Sequence, residues 1–152
     1  MASLIDLLKE KMIRLKVSAN NWEEALRQGG QLLIDDDGVE PRYLDAIINT
    51  VKELGPYVVI APGLALGHAG PDMGVLKTCF SLITLKKPVE FDVPENDPVD
   101  IIFCFAAPNK EEHMEALRDM AMFCSETRNI DATRSSTEVW QIRELLIEFF
   151  QS

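Results

Sequence analysis

Apolar residues follow two alternating rhythms along this chain, and the alternation predicts the architecture. Short apolar runs occur at Ile13 to Val17, Val58 to Ile60, Cys79 to Leu85 and Ile101 to Phe105, with the length and the β-branched and aromatic content of strands. The last run, Ile101-Ile102-Phe103-Cys104-Phe105, has no polar position, which predicts a strand covered on both faces. Between the runs the apolar spacing changes to that of helices. Asn21 and Glu24 form a cap pair for a helix carrying Trp22, Ala25, Leu26, Leu32 and Leu33 on one face, with Gly29 and Gly30 weakening its middle. Pro41 opens a second helix through Leu44, Ile47, Ile48 and Val51, and Gly55-Pro56 stops it. A third starts at Asn109, with Glu112 three residues on, and turns Leu117, Met120, Ala121 and Cys124 inward. A fourth, from about Ser136, buries Val139, Ile142, Leu146 and Phe149. Strands interleaved with helices predict an α/β layered domain.

The segment Lys86 to Asp100, punctuated by Pro88, Pro94 and Pro98 and rich in acidic residues, predicts an exposed connection between two neighbouring strands. No repeat or linker divides the chain, so residues 1–152 are expected to form one domain, a length that buries roughly 70% of the unfolded surface. The formal charge of −10 opposes nucleic acid and anionic membranes, both of which are bound through Lys and Arg, and favours a basic protein partner. Cys79, Cys104 and Cys124 are odd in number, lie in apolar patterns and lack ligand spacing, so they are expected to be reduced core thiols in a cytosolic protein. The start Met-Ala-Ser-Leu-Ile-Asp has neither the basic beginning nor the apolar stretch of a secretory signal, and no long apolar span follows. Apolar helix faces such as Trp140, Leu145 and Phe150 can pack internally or against a second copy, a homodimer.

The chain has only two histidines. His68 lies in Ala61-Pro62-Gly63-Leu64-Ala65-Leu66-Gly67-His68-Ala69-Gly70-Pro71, which predicts a loop of small residues after the strand at Val58 to Ile60. His113 lies in the first turns of the helix that follows the Ile101 to Phe105 strand, on a stripe with Leu117, Met120 and Ala121. Both therefore lie beyond the carboxyl ends of strands, and if those strands are parallel the rings can meet. A satisfied structural histidine is the bland alternative at His113, and turn-making the bland alternative for Gly63, Gly67 and Gly70. The glycine spacing lacks the Lys-Ser/Thr ending of a nucleotide loop. A metal site built from His68, His113 and Asp72 would need three or four convergent ligands, and no serine sits in a Gly-x-Ser-x-Gly elbow. No metal or cofactor is expected.

The stretch Glu53-Leu54-Gly55-Pro56-Tyr57-Val58-Val59-Ile60-Ala61 through His68-Ala69 resembles the enzyme IIA components of the bacterial sugar phosphotransferase system, in the mannitol/fructose-type superfamily and nearest its ascorbate-type branch. Leu76 to Leu85 resembles that family's strand after the active histidine, and His113-Met114-Glu115-Ala116-Leu117 its second-histidine helix. The resemblance implies a mixed sheet of about five strands flanked by helices on both sides. It implies that His68 accepts a phosphoryl group from phospho-HPr and passes it to an enzyme IIB component, serving a membrane enzyme IIC, with His113 in support. Backbone donors at Gly67, Ala69 and Gly70 would receive the phosphoryl oxygens. Neutral imidazole suits this chemistry, being nucleophilic near pH 7 and forming a reactive phosphoramidate. Relatives commonly show Pro-His-Ala-Arg where this chain has Gly67-His68-Ala69-Gly70, and some carry an arginine on the preceding helix where it has Thr50 and Lys52. Lys77 is a candidate substitute for the missing guanidinium. The same departures motivate a rival, a partner-binding or regulatory module with impaired transfer.

Overall fold

The computed structural model describes residues 3–151. A short helix α1 (Leu4–Leu7) and a 3-10 turn (Glu10–Met12) lead into β1 (Ile13–Val17), followed by α2 (Trp22–Asp35) and α3 (Pro41–Leu54). Next come β2 (Val59–Ala61), β3 (Leu64–Gly67), β4 (Cys79–Val89) and β5 (Val99–Ala106). Three helices finish the chain: α4 (Lys110–Cys124), α5 (Thr127–Ser135) and α6 (Val139–Gln151). The five strands form one mixed sheet in the order β1-β4-β5-β3-β2. The pairs β1/β4 and β3/β5 are parallel, and β4/β5 and β2/β3 antiparallel. Helices α2 and α3 pack on one face, and α1, α4, α5 and α6 group on the other. Among the described residues no helix is long and apolar enough to cross a membrane.

The central strand is the one with the unbroken apolar run. From Ile101 to Ala106 every residue of β5 is buried, because helices cover both faces of the sheet there. The glycines that should weaken α2 serve its packing instead. A Cβ on Gly29 would stand 2.8 Å from Cys104 Sγ, and one on Gly30 2.5 Å from Leu44 Cδ1, so their absence lets α2 settle onto β5 and against α3. Ser81, buried in β4, donates its hydroxyl to the Gly29 carbonyl at 2.8 Å.

Several expectations need correction. The stretch expected to be loop contains β3, four buried residues entered by a tight turn with Pro62 followed by Gly63 at φ 75°. With only Leu-Ala-Leu-Gly, the strand is too short and too small to stand out by periodicity. Lys86 to Asp100 is less of a connection than its prolines suggest: β4 continues to Val89 and β5 begins at Val99, so only the tip between them is irregular. Helix α5 escapes apolar periodicity because its buried residues are Asn129 and Thr133, and Asn129 Nδ2 caps α4 by donating to the Phe123 carbonyl at 2.9 Å. On α4 itself the buried stripe is Ala116, Met120 and Phe123, while Ala121 is exposed. On α6, Leu145 and Phe150 pack partly against the core, and Trp140 is 55% exposed. The cysteines are free; Cys79 and Cys104 are buried, Cys124 partly so, and burial pushes each thiol up to about 12.

Substituting Gly29→Ala sets helix propensity against packing. Propensity alone would stabilise by about 1 kcal/mol, but overpacking against Cys104 costs about 1–3 kcal/mol, so net destabilisation is expected in urea unfolding. Adding Cys104→Ala removes the clash, and a favourable coupling in the double-mutant cycle is expected; additive effects would show that the close approach is unimportant.

Candidate functional site

Two parallel strands bring the histidines together. In the β3/β5 ladder Gly67 is paired with Cys104, so the chain leaves both strands at the same sheet edge. His68 is the first residue past β3, and β5 runs through Ala106 into the start of α4. That helix is fixed by a reciprocal cap. Asn109 Oδ1 accepts from the Glu112 amide at 2.9 Å, and Asn109 Nδ2 donates to Glu112 Oε2 at 2.7 Å. Thr78 Oγ1 donates to the other Glu112 oxygen at 2.7 Å, tying the segment before β4 to the same helix turn. His113 is the next residue, and its ring centroid lies 5.9 Å from that of His68. Phe105 supports both, 5.6 Å from His68 in a stacked arrangement and 4.9 Å from His113. The strand preceding His68 is thus β3, not the one at Val58 to Ile60; a ring at the end of antiparallel β2 would have met the opposite edge.

His68 is half-buried, with Nδ1 3.0 Å from the Leu66 carbonyl oxygen. A carbonyl can only accept, so Nδ1 carries the proton and the Nε2 lone pair is left on the other side of the ring. Two tyrosines hold the backbone around it. Tyr57 donates its hydroxyl to the His68 carbonyl and sets its ring edge-on to the imidazole, centroids 5.4 Å apart. Tyr43, 1% exposed on α3, donates to the Phe105 carbonyl at 2.7 Å and accepts from the Ala69 amide at 2.9 Å. Burial pushes Tyr57 up to about 12 and Tyr43 higher still, so both hydroxyls stay protonated at neutral pH. Burial, and then the neighbouring His68, lower the His113 pKa, so both favour its neutral ring.

The rings open into a cleft of about 370 Å³, walled by Ala46, Thr50, Tyr57, Gly70 and Met73. Among the described residues no lysine or arginine lines it. Thr50 occupies the α3 wall with its hydroxyl donated to the Ala46 carbonyl at 2.7 Å. Lys52 pairs with Glu23 at 3.1 Å, and Lys77 with Asp36 at 3.4 Å, so neither takes the place of a guanidinium in the cleft. Of the three backbone positions singled out beside His68, only Gly70 is an exposed loop residue. Ala69 already gives its amide to Tyr43. Gly67 ends β3 and is buried: a Cβ there would meet Cys104 Sγ at 2.9 Å and Leu26 Cδ2 at 3.1 Å. Packing, not a rigid side chain, holds the residue before His68. Asp72 folds back toward Gly70, where an added Cβ would lie 2.8 Å from its Oδ1. A larger cavity of about 620 Å³ opens at the other ends of β3 and β5, beside Gly63, Asp100 and Arg134, and contains neither histidine.

The tyrosines are the positions around the cleft that periodicity misses. Tyr43 reads as one more apolar residue on the face of α3, yet the chain has only two tyrosines and two histidines, and all four meet here. Scarcity of the polar aromatics was the available signal.

Residues 6–149 match the family described as phosphoenolpyruvate-dependent sugar phosphotransferase system, EIIA 2. The ascorbate-specific EIIA components of Escherichia coli K12 and of Salmonella typhimurium are each 43% identical over 141 residues, 92% of either chain. Among solved structures, a phosphotransferase-system IIA protein of Streptococcus mutans superposes with a TM-score of 0.91 at 29% identity, covering 99% of this chain and 97% of that one. The mannitol enzyme IIA of E. coli in complex with phosphorylated enzyme IIB superposes at 0.83 and 26% identity, covering 93% and 97%.

Substituting Tyr43→Phe strands the Ala69 amide and the Phe105 carbonyl in a buried setting. A loss of about 1–3 kcal/mol in chemical unfolding is expected, with faster hydrogen exchange at Ala69. Unchanged stability together with unchanged exchange would show that the brace is dispensable.

Proposed function

Because the chain belongs to the EIIA 2 family of the phosphoenolpyruvate-dependent sugar phosphotransferase system, and is therefore one of its phosphocarrier components, we propose that Nε2 of His68 is the atom that carries the phosphoryl group. The observation behind this choice is the bond from Nδ1 to the Leu66 carbonyl, which fixes the tautomer and leaves Nε2 with its lone pair. The donor is phospho-HPr and the acceptor an enzyme IIB component, both meeting the protein in the cytoplasm. The solved complex of a related enzyme IIA with phosphorylated enzyme IIB supports the second partner. The likeness to ascorbate-specific components supports an ascorbate-type substrate for the membrane enzyme IIC served downstream.

Transfer between two imidazole nitrogens has a loose, in-line transition state, so the protein's task is to position the ring and meet the moving charge. The Leu66 carbonyl and Phe105 fix the orientation of His68, while Tyr57 holds its backbone. His113 and the backbone at Gly70 are the groups at hand for the phosphoryl oxygens, and Thr50 can add a hydroxyl by rotating away from its own helix. The buried, packed Gly67 weighs against the rival reading of a transfer-impaired module, since the nucleophile is not loosened by it. Met73 in the cleft wall is 36% exposed, and Met114, the residue after His113 on α4, is 53% exposed; together they offer adaptable apolar surface to two successive partners.

With phosphoenolpyruvate, enzyme I and HPr, the protein should acquire one acid-labile phosphoryl group by mass spectrometry, and His68→Gln should acquire none. Labelling that survives His68→Gln would refute the assignment. For this surface, Met114→Glu should raise the KM for phospho-HPr by about tenfold without changing urea unfolding; an unchanged KM would place docking elsewhere.

A further inference from the structure

We infer that His113 takes up a proton when His68 is phosphorylated, so that the cation missing from the cleft arrives with the phosphoryl group and leaves with it. This rests on the reading that His68 Nε2 is the phosphorylated atom. The geometry has three parts. The two rings lie 5.9 Å apart, near enough for a charge on one to act strongly on the other. No lysine or arginine among the described residues lines the cleft, so no fixed positive charge forestalls the response. His113 is half-buried against Phe105, where solvent screens poorly, and water still reaches the cleft to deliver a proton.

The charges balance as follows. The Nε2 lone pair of neutral His68 forms the new P–N bond, and the donor's P–N bond breaks with its electron pair returning to the donor imidazole. The PO₃ unit therefore moves with a single negative charge. The His68 proton stays on Nδ1, donated to the Leu66 carbonyl, throughout. The proton gained by His113 comes from water or buffer and returns there when the phosphoryl group moves on. In the unphosphorylated protein, burial and the His68 ring favour the neutral imidazole at His113. Added negative charge at this separation favours the imidazolium by on the order of one to two pH units.

Other titratable groups around His113 do not supply that charge. Tyr57, facing the rings from the approach to β2, and Tyr43, from α3, are held protonated by burial. Glu112, on its own helix, is occupied by Thr78 and Asn109, and Lys110 and Glu111 are exposed on the first turn. Asp72, from the segment between β3 and β4, lies against Gly70 and is a carboxylate, which would repel the phosphoryl group.

The test follows the His113 ring Cε1 proton by NMR across pH, in protein kept phosphorylated by phosphoenolpyruvate, enzyme I and HPr and in unphosphorylated protein. The phosphoryl equilibrium with HPr is measured over the same range for wild type, His113→Gln, His113→Arg and Asp72→Asn. The His113 midpoint should rise by about one pH unit or more on phosphorylation. Between the two midpoints, wild type relative to His113→Gln should gain up to about tenfold in the ratio of phosphorylated to unphosphorylated protein per pH unit of acidification. His113→Arg should also remove this slope, and Asp72→Asn should keep it. A midpoint that does not move, a slope that survives in His113→Gln, or one that vanishes in Asp72→Asn overturns the inference. Absence of phosphorus from His68 instead overturns the reading beneath it.

Discussion

Everything at the site depends on β3 running parallel to β5. That register, with Gly67 opposite Cys104, delivers His68 and the start of α4 to one sheet edge and lets two residues far apart in sequence share a cleft. The pairing requires close packing behind it. Gly29 and Gly67 converge on Cys104 from α2 and β3, and at both positions even a methyl group would crowd its sulfur. At these two positions the chain thus brings α2 and β3 against β5 more closely than other residues permit.

The chemistry of the cleft follows from what is kept neutral. The Leu66 carbonyl selects one tautomer of His68, burial holds both tyrosines protonated, and burial also disfavours charge on His113. Lysines that could have brought a permanent charge are drawn to carboxylates elsewhere, Lys52 to Glu23 and Lys77 to Asp36. A cleft without fixed positive charge among the described residues suits a phosphocarrier, which must accept a phosphoryl group without holding it too tightly to release it. Exposed Met73 in the cleft wall and exposed Met114 beside His113 add adaptable apolar surface at this edge.

Most of the architecture was legible in the sequence, because long elements impose a periodicity that packing then uses. The cap at Asn109 and Glu112, the Pro41 start of α3 and the unbroken apolar run of β5 all form as their residues suggest. What escaped were elements stabilised by context. Strand β3 exists because β5 and β2 flank four residues too few to show a periodicity, and α5 because Asn129 and Thr133 can be buried, Asn129 as a cap on the end of α4. At the site, both histidines could be singled out, but Tyr43 could not, since an amphipathic pattern does not reveal that a hydroxyl will join a strand end to a loop. Gly67 was open to misreading for the same reason: sequence shows missing side-chain volume without showing what fills it.

The central claim is that Nε2 of His68 is the unprotonated, nucleophilic nitrogen. Long-range ¹⁵N–¹H correlation of the histidine rings in the unphosphorylated protein at neutral pH tests it most directly, because the two tautomers give distinct nitrogen patterns. The expected result is a proton on Nδ1 and a free lone pair on Nε2; a proton resident on Nε2 would contradict the account.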